Sequence, residues 1–66
     1  MFYKIIEEIN GDIFEEIYRT KEEAIKMMNL EYANLTDHDK RRRKAVYVLE
    51  TETPDDLEGN IIERIV

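Results

Sequence analysis

Two segments of alternating apolar and polar residues begin the chain and are separated by the dipeptide Asn10-Gly11. Residues 2–9 and 12–18 are rich in β-branched and aromatic side chains, which is typical of strands. Asparagine and glycine both tolerate the positive φ angles that a type I′ turn requires. The pattern therefore predicts a β-hairpin with a two-residue loop.

A two-residue loop fixes the strand register, so that Ile9 faces Asp12 and Tyr3 faces Tyr18. A three-residue turn with a bulge would assign the side chains to the faces differently. In the two-residue register one face carries Tyr3, Ile5, Ile9, Phe14 and Tyr18. The other face carries Phe2, Ile6, Ile13 and Ile17, together with Lys4, Glu8, Glu15 and Arg19. Large apolar side chains therefore lie on both faces of the hairpin.

A helical pattern follows at residues 21–34. Thr20 precedes it and Glu23 stands three residues later, which is the spacing of a capping box. Apolar residues then recur at helical spacing and predict a stripe that packs across the aromatic face of the hairpin. The stripe consists of Ala24, Ile25, Met28, Tyr32 and Leu35.

The same cap spacing recurs at Thr36 and Asp39, which predicts a short second helix over residues 37–43. Residues 45–52 form the most apolar strand pattern of the chain, and residues 61–66 form a short last strand. The predicted order is β-β-α-β-β, with an extra helical turn before the third strand. This grouping favours an α+β fold, in which one main helix packs on one face of a mainly antiparallel sheet.

Length and composition limit the kinds of function. The chain has 66 residues, enough for one domain (residues 1–66) with a small core. It contains no cysteine and no serine, which excludes thiolate zinc sites and serine or cysteine nucleophiles. No apolar run approaches the roughly 20 residues of a membrane span, and the start lacks a signal-peptide pattern. We expect a cytoplasmic protein that is not an enzyme, needs no cofactor and contacts no membrane or small-molecule substrate.

Five of the ten basic residues stand together at Lys40 to Lys44, in a chain of net charge −6. The short helix is acidic in its first turn and basic in its last, so the helix dipole gives the run a structural explanation. A contact with nucleic acid or an acidic partner is the other interpretation. It would use Arg41, Arg42, Arg43 and Lys44. The negative net charge argues against general nucleic-acid binding, because phosphates repel most of this surface.

Two acidic patterns are weak candidates for chemistry. His38 lies between Asp37 and Asp39, but neighbouring residues of a helix point about 100° apart and cannot converge on a metal ion. Glu7 and Glu16 can share one sheet face. We expect them to improve solubility or form ion pairs rather than to act as an acid–base pair.

The hairpin face turned away from the helix is the main functional candidate. One helix covers one face of a four-stranded sheet, so the second face stays exposed unless the C-terminal segment folds over it. An apolar surface of that size usually binds a partner, often a second copy. The candidate interface consists of Phe2, Ile6, Ile13, Ile17, Val46 and Val48. We expect a protein-interaction module that forms a homodimer or binds another protein, with a small nucleic-acid-binding regulator as the alternative.

Residues 20–56 also carry a series of motifs: T-x-E-E-A, an aromatic residue, L-T-x-x-[DE]-[KR], a basic patch, Y-V-L-E and x-P-D-[DE]. They are formed by Thr20, Glu22, Glu23, Ala24, Tyr32, Leu35, Thr36, Asp39, Lys40, Tyr47, Val48, Leu49, Glu50, Pro54 and Asp55. On these motifs the chain resembles a family of small acidic uncharacterised proteins of Firmicutes bacteria and their mobile elements. Family members often have an Asp-Gly turn near the end, where this chain has Glu58-Gly59-Asn60. The resemblance implies a cytoplasmic setting and the fold described above, and it brings no catalytic residues.

Overall fold

The computed structural model describes all 66 residues and contains a four-stranded antiparallel sheet with the strand order β2-β1-β3-β4. The strands are β1 (Phe2–Ile9), β2 (Asp12–Tyr18), β3 (Arg43–Thr51) and β4 (Asn60–Arg64), and the helices are α1 (Lys21–Ala33) and α2 (Asp37–Arg42). This architecture confirms the predicted α+β fold. Strand β3 begins two residues earlier than predicted. Neither helix is long and apolar enough to cross a membrane.

The β1–β2 hairpin turns at Asn10 and Gly11, whose φ angles are 52° and 91°. Two successive positive φ angles are the requirement of a type I′ turn, whose twist matches that of the flanking strands. The loop pairs Ile9 with Asp12, and this register continues without a shift to the far end of the hairpin. The predicted register is therefore confirmed.

Both helices begin at threonine caps. Thr20 Oγ1 accepts a hydrogen bond from the Glu23 amide at 3.2 Å, and Thr36 Oγ1 accepts one from the Asp39 amide at 3.1 Å. Each bond satisfies an amide that has no partner within its helix, and such a cap typically stabilises a helix by about 1 kcal/mol. These local bonds fix the first residues of α1 and α2, and α2 ends directly before β3.

The core lies between α1 and the two central strands, β1 and β3. Five apolar residues form its buried centre: Ile5, Ala24, Met28, Val46 and Val48. Around them pack the partly buried Tyr3, Tyr18, Ile25, Met27, Tyr32, Ile62 and Ile65. We call the sheet surface under α1 the helix face and the opposite surface the second face. Since α1 covers only the helix face, any cover of the second face has to come from another part of the chain or from a partner.

Candidate functional site

The second face is defined by the pairing of all four strands. Strand β4 contributes Ile61, which lies opposite Leu49, and Arg64, which lies opposite Tyr47. Strand β1 contributes Phe2, Lys4, Ile6 and Glu8, strand β2 contributes Ile13, Glu15 and Ile17, and strand β3 contributes Ala45, Tyr47, Leu49 and Thr51. Four residues of the predicted interface, which are Phe2, Ile6, Ile13 and Ile17, therefore share this face. Of these four, Ile6 is buried and Phe2 is partly buried, whereas Ile13 and Ile17 are exposed.

The assignment of Val46 and Val48 to the interface was wrong. Val46 pairs with Glu7 and Val48 pairs with Ile5, so both valines point to the helix face. There they are only 2% and 0% exposed, within the core beneath α1. Strand β3 is apolar on both sides, so its own sequence does not show which side chains point to which face. The pairing with β1 decides this. A partner on the second face cannot contact these two side chains.

Part of the second face is covered by the segment between β3 and β4, residues 52–59. Lys4 Nζ donates a hydrogen bond to the backbone oxygen of Asp56 at 2.7 Å, so this segment crosses over the start of β1. The Thr51 hydroxyl donates to the backbone oxygen of Thr53 at 2.8 Å. A Cβ on Gly59 would overlap the backbone carbonyl oxygen of Glu50, so glycine allows the segment to return close to β3. The C-terminal part of the chain thus covers one portion of the face.

Lys4 is the least expected residue of this region, because its side chain is 0% exposed. In addition to the Asp56 carbonyl, its ammonium lies 3.4 Å from Oε1 of Glu15 on the neighbouring strand. A buried charge is tolerated only where it is paired and hydrogen-bonded, and Lys4 has both kinds of contact. The only signal in the sequence was a lysine between Phe2 and Ile6 at alternating positions of the apolar hairpin.

The second face is open along β2 and also at Ile61 on β4, which is 49% exposed. Ile13 is 54% exposed and Ile17 is 47% exposed, and Glu15 lies between them on the same face. We call these three residues the β2 flank. Strand β2 is at the edge of the sheet, and six of its seven residues are exposed. The segment 52–59 contributes a separate exposed apolar residue, Leu57.

A group of carboxylates lies on the helix face near the hairpin. Glu16 accepts a hydrogen bond from the Tyr18 hydroxyl at 2.8 Å. Burial raises the pKa of Glu31 on α1, and the charge of nearby Glu16, a hydrogen bond with it and the charge of Glu7 raise it further. Burial and the bond to Glu16 also raise the pKa of Tyr18, to about 12. Glu7 and Glu16 share this face as expected, but on a diagonal rather than directly opposite each other.

Arg43 connects the basic run to the sheet. Its Nε donates to Oε2 of Glu7 at 3.0 Å, and its NH1 donates to the backbone oxygen of Asp39 at 2.9 Å. Both side chains of the Arg43–Glu7 pair are less than a fifth exposed. Arg42 lies 4.0 Å from the Asp39 carboxylate, one helical turn away. Two of the predicted contact residues are thus bound within the protein.

Of the other three cations of the run, one contacts an aromatic ring and two are free. Lys40 lies over the Tyr32 ring, with its Nζ 5.3 Å from the ring centre, which is a cation–π distance. Arg41 and Lys44 are exposed and have no ion pair within the chain. The run therefore presents two unpaired cations to a partner rather than five.

One open pocket, of about 320 Å³, lies at the opposite end of the strands from α2. Its lining consists of Met1, Glu50, Glu52, Asp56, Glu58, Gly59 and Asn60. Four of these seven residues are acidic, so the two ends of the sheet differ in charge. His38 is exposed, and no group of three or more His, Cys, Asp or Glu side chains is arranged to hold a metal ion.

Comparison with known proteins adds nothing to this geometry. No family model, curated protein or solved structure matches the chain. The resemblance to the Firmicutes family therefore stays a prediction.

Proposed function

We propose that this protein is a small protein-interaction module, which associates with itself or binds a protein partner through the β2 flank. The observation that carries the proposal is the position of Ile13 and Ile17, which are half-exposed on one face of an edge strand that has six exposed residues out of seven. A cytoplasmic setting is part of the proposal, because a chain without cysteine is compatible with a reducing compartment.

Energetics support a contact at this place. Burying a complete isoleucine side chain stabilises by about 1.5–3 kcal/mol. About half of Ile13 and half of Ile17 are still exposed, so a partner that covers both gains roughly 1.5–3 kcal/mol from them. The part of the second face near Lys4 offers no such gain, because the segment 52–59 already covers it.

A matched pair of variants tests the proposal. Ile17→Lys places a charge on the β2 flank, whereas Leu30→Lys places one on α1 at almost equal exposure, 47% against 48%. Tagged wild-type protein and both variants are expressed in the native host, and the proteins retained by each are quantified. We expect Ile17→Lys to lose a specific protein, or the untagged copy of this chain, that wild type and Leu30→Lys retain. Equal retention by all three would contradict the proposal.

The alternative, a nucleic-acid-binding regulator, has weaker support. Arg42 and Arg43 contact carboxylates of the protein itself, which leaves Arg41 and Lys44 as unpaired cations. Tyr32 and Tyr47 are the tyrosines nearest the basic run in the sequence, and each has a cation over its ring. Lys40 lies over Tyr32 and Arg64 lies over Tyr47. Titration of labelled RNA and DNA at low salt tests this alternative, which requires salt-sensitive binding that is lost in the double variant Arg41→Glu, Lys44→Glu.

A further inference from the structure

The outer edge of β2 has backbone groups that are free to pair with another strand. In a two-residue hairpin the residues that flank the turn, here Ile9 and Asp12, form a hydrogen-bonded pair, and such pairs alternate along the strands. Asp12 and every second residue after it therefore direct their amides and carbonyls towards β1. The residues between them, Ile13, Glu15 and Ile17, direct theirs outward.

The two edges of the sheet differ in how far they are protected. Strand β4 has five residues, and its pairing with β3 is interrupted by a bulge between Val48 and Leu49. Short length and bulges are common protections of an edge. Strand β2 has seven residues in regular register and contains neither proline nor lysine. An open edge of this length and regularity is a template for a further strand.

We propose that the β2 edge pairs with the β2 edge of a second copy of this chain. The two strands run antiparallel about a two-fold axis at Glu15, and the two sheets become one sheet of eight strands. This inference rests on the proposed function and names the partner. In this register all seven residues of β2 have an opposite residue. Ile13 lies opposite the partner's Ile17 and Ile17 lies opposite the partner's Ile13, which gives two apolar cross-strand pairs.

Charge at the two-fold axis favours a second copy over an unrelated acidic strand. Glu15 meets the partner's Glu15 there, and like charges directly opposite each other are unfavourable. Each Glu15, however, lies 3.4 Å from the ammonium of its own buried Lys4. Two carboxylates and two ammonium groups therefore surround the axis, and the centre of the interface is electrically balanced.

The remaining charges set the salt dependence. Each copy carries a net charge of −6, so two copies repel each other at long range. Raising the salt from about 0.1 M to about 1 M shortens the screening length from about 10 Å to about 3 Å. The β2 pairing should therefore strengthen with salt. An association between the basic α2 end of one copy and the acidic pocket of another would weaken instead.

Because the chain contains no cysteine, single cysteine substitutions report the register directly. In a hydrogen-bonded antiparallel pair the Cα atoms are about 5.5 Å apart, within the range of about 4.4–6.8 Å that a disulfide accepts. The Cβ atoms are up to about 5.5 Å apart, so a local shift of about 1 Å brings them within disulfide distance. At the axis, the cysteine of Glu15→Cys thus lies opposite the same cysteine of the second copy. Ile17→Cys lies four residues, about 13 Å, from the partner's residue 17, which is too far for a disulfide.

The experiment oxidises each folded variant with oxidised glutathione and separates the products under non-reducing conditions. We expect a linked dimer from Glu15→Cys, none from Ile17→Cys, and a linked heterodimer from an equal mixture of Ile13→Cys and Ile17→Cys. The mixture leaves both Glu15 residues intact, so it remains informative if Glu15→Cys weakens folding. A linked dimer from Ile17→Cys alone would overturn the register, because it requires residue 17 at the axis with Glu15 opposite the partner's Arg19.

Absence of both expected links, with wild-type protein monomeric at high salt, would overturn the second copy as partner. The proposed function would still hold in that case if Ile17→Lys loses a different host protein that Leu30→Lys retains. The proposed function would fail together with this inference only if Ile17→Lys and Leu30→Lys both retain the same proteins as wild type. The two ideas are therefore tested separately.

Discussion

Replacing Gly59 by alanine tests how the segment 52–59 is held on the second face. The new Cβ would overlap the Glu50 carbonyl, and the nearest atoms are backbone, so the segment has to move away from β3. The Asp56 carbonyl then loses its bond from Lys4. A hydrogen bond to a charged group contributes about 1.5–3 kcal/mol, and an ordinary backbone bond about 1 kcal/mol. We therefore expect Gly59→Ala to lower the free energy of unfolding by about 2.5–4 kcal/mol.

This loss is large for a domain of 66 residues, whose total stability is expected to be about 3–10 kcal/mol. Urea denaturation followed by far-UV circular dichroism measures it, and a slope of about 1 kcal/mol per molar moves the midpoint by about 2.5–4 M. Gly11→Ala is the control. Gly11 has no atom within 4 Å of a new Cβ, so its cost comes only from its φ of 91°. A left-handed conformation costs a non-glycine residue about 1–2 kcal/mol.

A double-mutant cycle distinguishes Gly59→Ala from Gly11→Ala more sharply than the loss of stability that each causes alone. In a Lys4→Met background the bond to Asp56 is already absent, so Gly59→Ala should cost less there than in wild type. The cost of Gly11→Ala should be the same in both backgrounds. If Gly59→Ala and Lys4→Met are instead additive, the segment is not held by Lys4, and the division of the second face into a covered and an open part is incorrect.

Two further predictions concern single side chains. Lys4→Ala should be less stable than Lys4→Met by about 2 kcal/mol in urea denaturation. Both variants lose the ammonium, but only alanine also removes about three buried methylene groups. Equal stability would show that the methylene chain of Lys4 is not packed. Glu31→Gln should raise stability at neutral pH. The folded-state pKa of Glu31 is above its ordinary 4.5, so its contribution to stability is fully present below that pH and is lost as pH rises through the folded value. The advantage of glutamine should therefore vanish below pH 4.5 in thermal unfolding series, and a constant advantage would contradict the cause given.

The features that were correctly predicted depend on neighbouring residues. Asn10-Gly11 determined the hairpin register, because few dipeptides tolerate two positive φ angles. Thr20 and Thr36 marked the starts of both helices, because a cap is a bond between residues three apart. From these signals the order of the elements, the helix stripe and the position of Ile13 and Ile17 on one face follow.

The features that could not be predicted depend on contacts between distant residues. Strand β3 is apolar on both sides, so only its pairing with β1 shows that Val46 and Val48 face the helix. Lys4 is buried by a segment 52 residues away along the chain, and no local pattern signals that contact. The exposed state of β2 follows from its position at the edge of the sheet, which is known only once the strand order is known.

The molar mass in solution tests the central claim most directly, because the claim is that the β2 flank binds a partner and that the partner is a second copy. Sedimentation equilibrium of wild type, Ile17→Lys and Leu30→Lys is measured over a range of protein and salt concentrations. We expect wild type and Leu30→Lys to approach twice the 8.0 kDa of the single chain as salt rises, while Ile17→Lys stays at 8.0 kDa. A wild-type protein that is monomeric at every concentration and salt, or a dimer that Ile17→Lys leaves unchanged, would contradict the account.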